Sequence, residues 1–114
     1  MVVVDRREVV ALCTRALDAA GAAPQVAELL IETALFAEER GHPEVGVAHL
    51  LDHIDAMADG RLDGRAVPLL DRRSAVVTVS DARGGIAQTG FHEGLTDLVQ
   101  AARRIEHGAA FLVD

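Results

Sequence analysis

The chain has no tryptophan and no tyrosine, one cysteine, three prolines and no long apolar run. Each shortage excludes something. A lone cysteine, Cys13, cannot close an internal disulfide, and its place on the apolar side of a predicted helix makes it a buried, reduced thiol. No stretch approaches the roughly twenty apolar residues that a membrane-spanning helix needs. Met1-Val2-Val3-Val4 is apolar but too short for the core of an export signal, and charged residues follow at once, so the sequence reads as cytoplasmic. With a net charge of −7, no basic patch and only phenylalanine to stack on bases, nucleic-acid binding is not expected.

What remains is a chain of 114 residues, half of them hydrophobic, with the apolar mass in Ala, Val and Leu. That length suits one small domain or a piece of a larger one. A core built from such small side chains is shallow, so part of the apolar surface is expected to be buried against another chain.

Three helices open the sequence. Asp5 is placed to cap the first, with Glu8 in the first turn, and Val9, Leu12, Cys13, Ala16, Leu17 and Ala20 recur at helical spacing up to Gly21. Pro24 opens the second, whose stripe of Val26, Leu29, Leu30, Thr33, Leu35, Phe36 and Ala37 leaves Glu28, Glu32, Glu38 and Glu39 toward solvent. Gly41 stops it, and Pro43 starts a third helix that runs to about Ala58, with Val47, Leu50, Leu51, Ile54 and Met57 inward and Gly60 at its end. The joining turns are short, so residues 1–60 read as a three-helix unit.

Beyond Gly60 the pattern changes. Residues 61–74 read as an irregular crossing segment, marked by Asp63-Gly64 and Pro68 and tacked down by Leu62, Val67, Leu69 and Leu70. Residues 75–114 read as strand, helix and strand. Ala75–Val79 is the first strand, its nearly continuous apolar run suggesting cover on both faces. Ser80–Gly85 is a turn. The helix spans about Thr89 to His107, with Leu95, Leu98, Val99, Ala102 and Ile105 on one side, and Ala109–Val113 is the second strand. The fold class is thus α/β, an N-terminal three-helix unit followed by part of an incomplete sheet, because two strands do not make a sheet that stands alone.

Several residues invite a chemical reading. His49 and His53 are four apart, share a helix face with Asp52 beside them, and fit a solvated or inter-chain face, a remodelled pocket or half of a metal site. No third ligand is evident, so no metal is assigned. His42 lies in the turn after Gly41, where it bonds to helix-end backbone or serves as a proton donor or acceptor. Gly84-Gly85-Ile86-Ala87-Gln88 lacks the dinucleotide fingerprint G-x-G-x-x-G, and its glycines suit a tight turn before a helix whose N-terminus could meet a phosphate. Arg103-Arg104 complements the end of that helix.

Taken in register, Ala19-Ala20-Gly21-Ala22, Arg40-Gly41-His42, Gly46-Val47, Gly60-Arg61-Leu62, Ala66-Val67-Pro68, Thr78-Val79-Ser80-Asp81, Gly84-Gly85-Ile86-Ala87-Gln88 and Gly108-Ala109-Ala110 resemble the N-terminal part of the malate/L-lactate dehydrogenase family. The resemblance implies an NAD(P)-dependent oxidoreductase of 2-hydroxy, 2-keto or imino acids whose fold is not the Rossmann type of other lactate and malate dehydrogenases. The substrate motif departs from the family's Arg-Gly-His-Asp-Ser-His-Gly-Val: Pro43, Glu44 and Val45 stand where Asp, Ser and the second His are usual. His49 takes the place of the arginine implied to hold the substrate carboxylate, and His53 that of an aromatic residue.

On this resemblance the substrate pocket includes Glu44, Val45, His49 and His53, with His42 and His49 the candidate catalytic groups and Gly84 and Gly85 the candidate cofactor contacts. NAD or NADP is the implied cofactor, most of its site belonging to the part of the family fold that this chain lacks. Two readings follow. In one, the chain is the N-terminal half of a split oxidoreductase, completed by a second polypeptide and acting on a small-molecule substrate. In the other, it is a catalytically degenerate assembly module that pairs with itself or with an intact enzyme. A fragment of a full enzyme is a third.

Overall fold

The computed structural model describes residues 3–104, in the order α1 (Arg6–Ala20), α2 (Pro24–Glu39), a 3-10 turn (Pro43–Val45), α3 (Val47–Ala58), β1 (Leu69–Arg72), β2 (Thr78–Asp81) and α4 (Ala87–Arg104). The chain is of mixed α/β class and divides between Arg65 and Ala66 into two compact units.

The first unit is helical. The Asp5 side chain accepts from the Arg7 N–H at 2.8 Å and so caps α1, two residues on rather than at the third position that a full capping box would use. Three helix ends share one bond pattern. Ala22 N–H reaches Leu17 O and Gly21 N–H reaches Asp18 O. His42 and Gly41 do the same to Ala37 and Glu38, and Arg61 and Gly60 to Ala56 and Met57. The pattern satisfies orphan carbonyls at each C-terminus, which is why the connections are short.

Leu17, Val26, Leu30, Ile31, Leu50 and Met57 fill the core, and Leu17 is completely buried. Cys13 is a buried free thiol, and burial pushes its pKa up. Gly64 closes the unit. Its carbonyl accepts from Ala23 N–H at 2.9 Å, and a Cβ there would lie 2.9 Å from both the Ala22 Cα and the Met57 Sδ.

Two expectations are corrected in this unit. The third helix does not begin at Pro43. Residues 43–45 form a separate 3-10 turn, closed by Gly46 N–H to Pro43 O at 3.1 Å, and α3 starts only at Val47. The apolar stripes are also wider than the core that covers them. Leu12, Phe36 and Leu51 are exposed, while on α2 the predicted Val26, Leu30, Leu35 and Ala37 are buried together with Ala27, Ile31 and Ala34.

The second unit is a two-stranded antiparallel hairpin with one helix packed on it. Leu69 pairs with Asp81, Leu70 with Ser80, Asp71 with Val79 and Arg72 with Thr78. The stretch read as irregular therefore carries β1. Leu69-Leu70-Asp71-Arg72 shows no alternation, and its Arg72 is held by Asp97 of α4. The strand expected at Ala75–Val79 is displaced to Thr78–Asp81, and Val76 and Val77 are exposed in the hairpin loop rather than covered on both faces. The buried side of β2 is polar, Thr78 and Ser80, because α4 meets it with Gly90, Gly94, Leu98 and Ala101.

Small residues let the helix lie close. A Cβ at Gly90 would run into the Ser80 hydroxyl. Asp97 ties the unit together, accepting from Thr78 Oγ1 at 2.9 Å and from Arg72. These bonds, the Thr78 hydrogen bond first, hold the Asp97 carboxyl below the usual carboxylate range. The end of the predicted fourth helix beyond Arg104 and the second strand at Ala109–Val113 lie outside the described residues.

Candidate functional site

The stretch from Arg40 to His53 holds most of the residues that the sequence singles out. Gly41 has φ 77°, a left-handed conformation that glycine adopts without strain, and it turns the chain out of α2. Arg40 does not reach into a pocket. Its guanidinium lies over the Phe36 ring, 4.2 Å from the centroid. His42 follows in the turn, its N–H donating to Ala37 O at 2.9 Å and its Nδ1 lying 3.2 Å from Glu44 Oε1. Both side chains are largely exposed, as is Val45.

On α3, His49 and His53 stand one turn apart. Their rings meet edge to face, 4.8 Å between centroids and 84° between planes. His53 Nδ1–H donates to the His49 carbonyl at 3.2 Å, and His49 Nδ1 faces Asp52 Oδ2 at 3.5 Å. With its Nδ1–H given to that carbonyl, a neutral His53 carries its lone pair on Nε2, while His49 Nδ1 lies near Asp52 without a hydrogen bond to it. Such a pair accepts hydrogen bonds or a proton. It does not offer the bidentate grip on a carboxylate that arginine gives. Among the described residues no group of three or more His, Cys, Asp or Glu side chains is arranged to hold a metal ion.

No local pattern marks the part that Glu38 plays. It is exposed, as expected, but it also reaches from α2 to α3, where its Oε1 accepts from Val47 N–H at 2.9 Å. The contact is set by tertiary structure between residues nine apart across a turn, and no local motif announces it.

Gly84 and Gly85 belong to the second unit, in the turn between β2 and α4. Gly84 has φ 81°, and Arg83 shares the left-handed region at φ 55°. The turn's amides are engaged internally: Gly85 N–H donates to Ala82 O and Arg83 N–H to Asp81 Oδ1, each at 2.9 Å. Those two donors are taken within the turn, with the Asp81 carboxylate beside them. A groove of about 560 Å³ runs between α1 and α2 over Val10, Ala27, Ile31 and Leu35, and none of the residues from 42 to 53 lines it. Among the described residues no helix is long and apolar enough to cross a membrane.

Known proteins place this geometry in context. The family model described as malate/L-lactate dehydrogenase matches residues 4–113. The chain is similar to the Delta(1)-pyrroline-2-carboxylate/Delta(1)-piperideine-2-carboxylate reductase of Pseudomonas syringae pv. tomato, at 30% identity over 83 residues, covering 73% of this chain and 24% of that protein. It is also similar to Delta(1)-pyrroline-2-carboxylate reductase 2 of Burkholderia multivorans, at 35% identity over 60% of this chain and 19% of that one.

The solved delta1-piperideine-2-carboxylate reductase of Pseudomonas syringae superposes with a TM-score of 0.81 at 27% identity, over 91% of this chain and 31% of its own. The malate dehydrogenase of Pyrococcus horikoshii superposes with a TM-score of 0.86 at 17% identity, over 97% and 32%, and shows the fold alone. The chain spans less than a third of the length of each of these proteins. A match that begins at residue 4 and ends at residue 113 leaves one assignment: the chain belongs to the malate/L-lactate dehydrogenase family.

Proposed function

We propose that the chain is the N-terminal, substrate-side portion of an NAD(P)-dependent oxidoreductase, completed in the cytoplasm by a second polypeptide that carries the rest of the family fold. The observation that carries the reading is one of coverage: 91% of this chain follows a family reductase that is about three times as long. The second unit agrees with it. Its apolar side chains Phe91, Leu95 and Val99 stand exposed along α4, the face that a further layer of the family fold would cover.

The substrate class we favour is cyclic 2-imino acids, supported by the similarity to reductases of pyrroline- and piperideine-2-carboxylate. Reduction adds a hydride to the C2 of a C=N or C=O bond and a proton to its nitrogen or oxygen. The nicotinamide nucleotide would supply the hydride when bound, most of its site belonging to the second chain and the Gly84-Gly85 turn contributing at its edge. On this reading the residues here do the rest: His49 or His53 accepts from the N–H of a protonated cyclic imine, and His42 beside Glu44 supplies the proton that a 2-keto acid's oxygen takes up. With His49 in place of the carboxylate-gripping arginine, the preferred substrate is one bound by hydrogen bonds rather than by a forked ion pair.

Co-purifying the two chains and following NAD(P)H oxidation with cyclic 2-imino acids and 2-keto acids tests this. Turnover that requires both chains is the expected result, and none with any member of either class overturns it. The altered motif at Glu44 and Val45 favours a second reading, a non-catalytic assembly subunit of the same fold. The double change Val45→His and His49→Arg separates the two. Altered activity in the complex means that the pocket is in use, and indifference means that it is vestigial.

A further inference from the structure

Helix α3 starts without a cap of its own. Its N-cap residue is Gly46, which has no side chain to bond to the first-turn amides, and no acidic residue stands in that first turn. The missing acceptor comes from α2, where Glu38 Oε1 takes the Val47 N–H at 2.9 Å and sets a negative charge at the positive end of the helix. Gly46 is buried, and the Glu38 side chain fills the space that a residue there would use. A Cβ on Gly46 would lie 2.6 Å from the Glu38 Cδ and 2.8 Å from its Cγ. The absence of a side chain at 46 leaves that space to the Glu38 carboxylate. Any side chain at 46 displaces the carboxylate, and with it the cap.

We propose that Glu38, seated against Gly46, is the positioning residue that sets the histidine face of α3. The inference rests on the reading of that face as substrate-side. His49 lies in the first turn of α3, immediately downstream of the capped amide, and His53 hangs from it through its bond to the His49 carbonyl and the edge-to-face ring contact. Release of the Val47 amide frays that turn and moves both rings together. Glu38 touches neither substrate nor reacting atoms in this account. It acts through α3.

The test uses Glu38→Ala, Glu38→Gln, Gly46→Ala and the double Glu38→Ala/Gly46→Ala in the whole chain, read by NMR. Glu38→Gln keeps an acceptor oxygen, and it is expected to retain slow exchange of the Val47 amide and the His49–His53 ring contact. Glu38→Ala is expected to lose at least about tenfold of the Val47 protection and to shift both ring signals, while the amides flanking Leu17 hold and report an intact fold. Gly46→Ala should copy it. The double variant should be little worse than either single one, because both remove the same bond. Unmoved Val47 and ring signals in Glu38→Ala, or additive effects of the two alanines, overturn the proposal.

In the assembled enzyme, Glu38→Ala should raise KM for the imino or keto acid at least about tenfold, with Glu38→Gln near the parent. Ring signals that move without any change in KM or kcat overturn the positioning role. A wild-type assembly without turnover sinks the functional reading instead, and the NMR comparison then decides the clamp alone.

Discussion

The two units of this chain solve the burial problem differently. The helical unit, up to Arg65, interlocks large aliphatic side chains around a fully buried Leu17, and bonds across each helix end satisfy orphan carbonyls. The unit from Ala66 onward packs α4 on β2 through Gly90, Gly94 and Ala101, with Ile86 and Leu98 its large buried side chains, and leaves Phe91, Leu95 and Val99 in water. The stripe is turned by roughly 100° from the buried face, at about 100° per residue along a helix. One unit is finished. The other has an apolar arc about twice as wide as the hairpin covers, which is what a fragment of a larger sheet looks like.

If that contrast is right, the largest stability effect lies in the finished unit. Leu17→Ala should cost about 2–5 kcal/mol in urea unfolding, because the site is sealed and cannot collapse around the void. A loss below about 1 kcal/mol would mean that the helical core is loose. Gly64→Ala is next, at about 1–3 kcal/mol, since the new methyl meets the backbone of Ala22 and the Met57 sulfur with little space to yield. Thermal unfolding of the two variants ranks them.

The second unit should instead be sensitive to acid. Asp97 has a folded pKa below its unfolded value, so its stabilisation is complete above the unfolded carboxylate range and is lost as pH falls through the folded pKa. Amides of β2 and α4 should therefore lose exchange protection below about pH 4, ahead of those in α2. Asp97→Asn should remove that pH dependence, and an unchanged acid profile in the variant would contradict the assignment. The smallest effect is expected at Leu95→Lys in the isolated chain, within about 0.5 kcal/mol, because the side chain is already in water. The same change should weaken assembly with the second polypeptide. A large loss in the isolated chain would show that the stripe is covered by the chain itself.

The helical unit was the more legible in the sequence, for a physical reason. Its helices are long, its apolar residues recur at helical spacing, and Gly21, Gly41 and Gly60 mark the three ends at positions the structure keeps. The misreadings there concern breadth and one boundary: Leu12 and Phe36 extend stripes that the fold does not cover, and α3 starts at Val47 after a 3-10 turn instead of at Pro43. In the second unit the local signals pointed elsewhere. Val76-Val77 looks like strand but is hairpin loop, and Leu69–Arg72 looks irregular but is β1, because its charge is answered by an Asp97 twenty-five residues away. The site was half legible. The family motif drew attention to His42, His49 and His53, whereas the Glu38 contact exists only once α2 and α3 are packed.

Native mass spectrometry of the protein, purified gently from its own cells, tests the central claim most directly. The expected result is a complex of this chain with a second, larger polypeptide that continues the family fold, carrying a nicotinamide nucleotide. A self-assembly without a larger chain or nucleotide, or the same sequence found inside one continuous longer polypeptide, would contradict it.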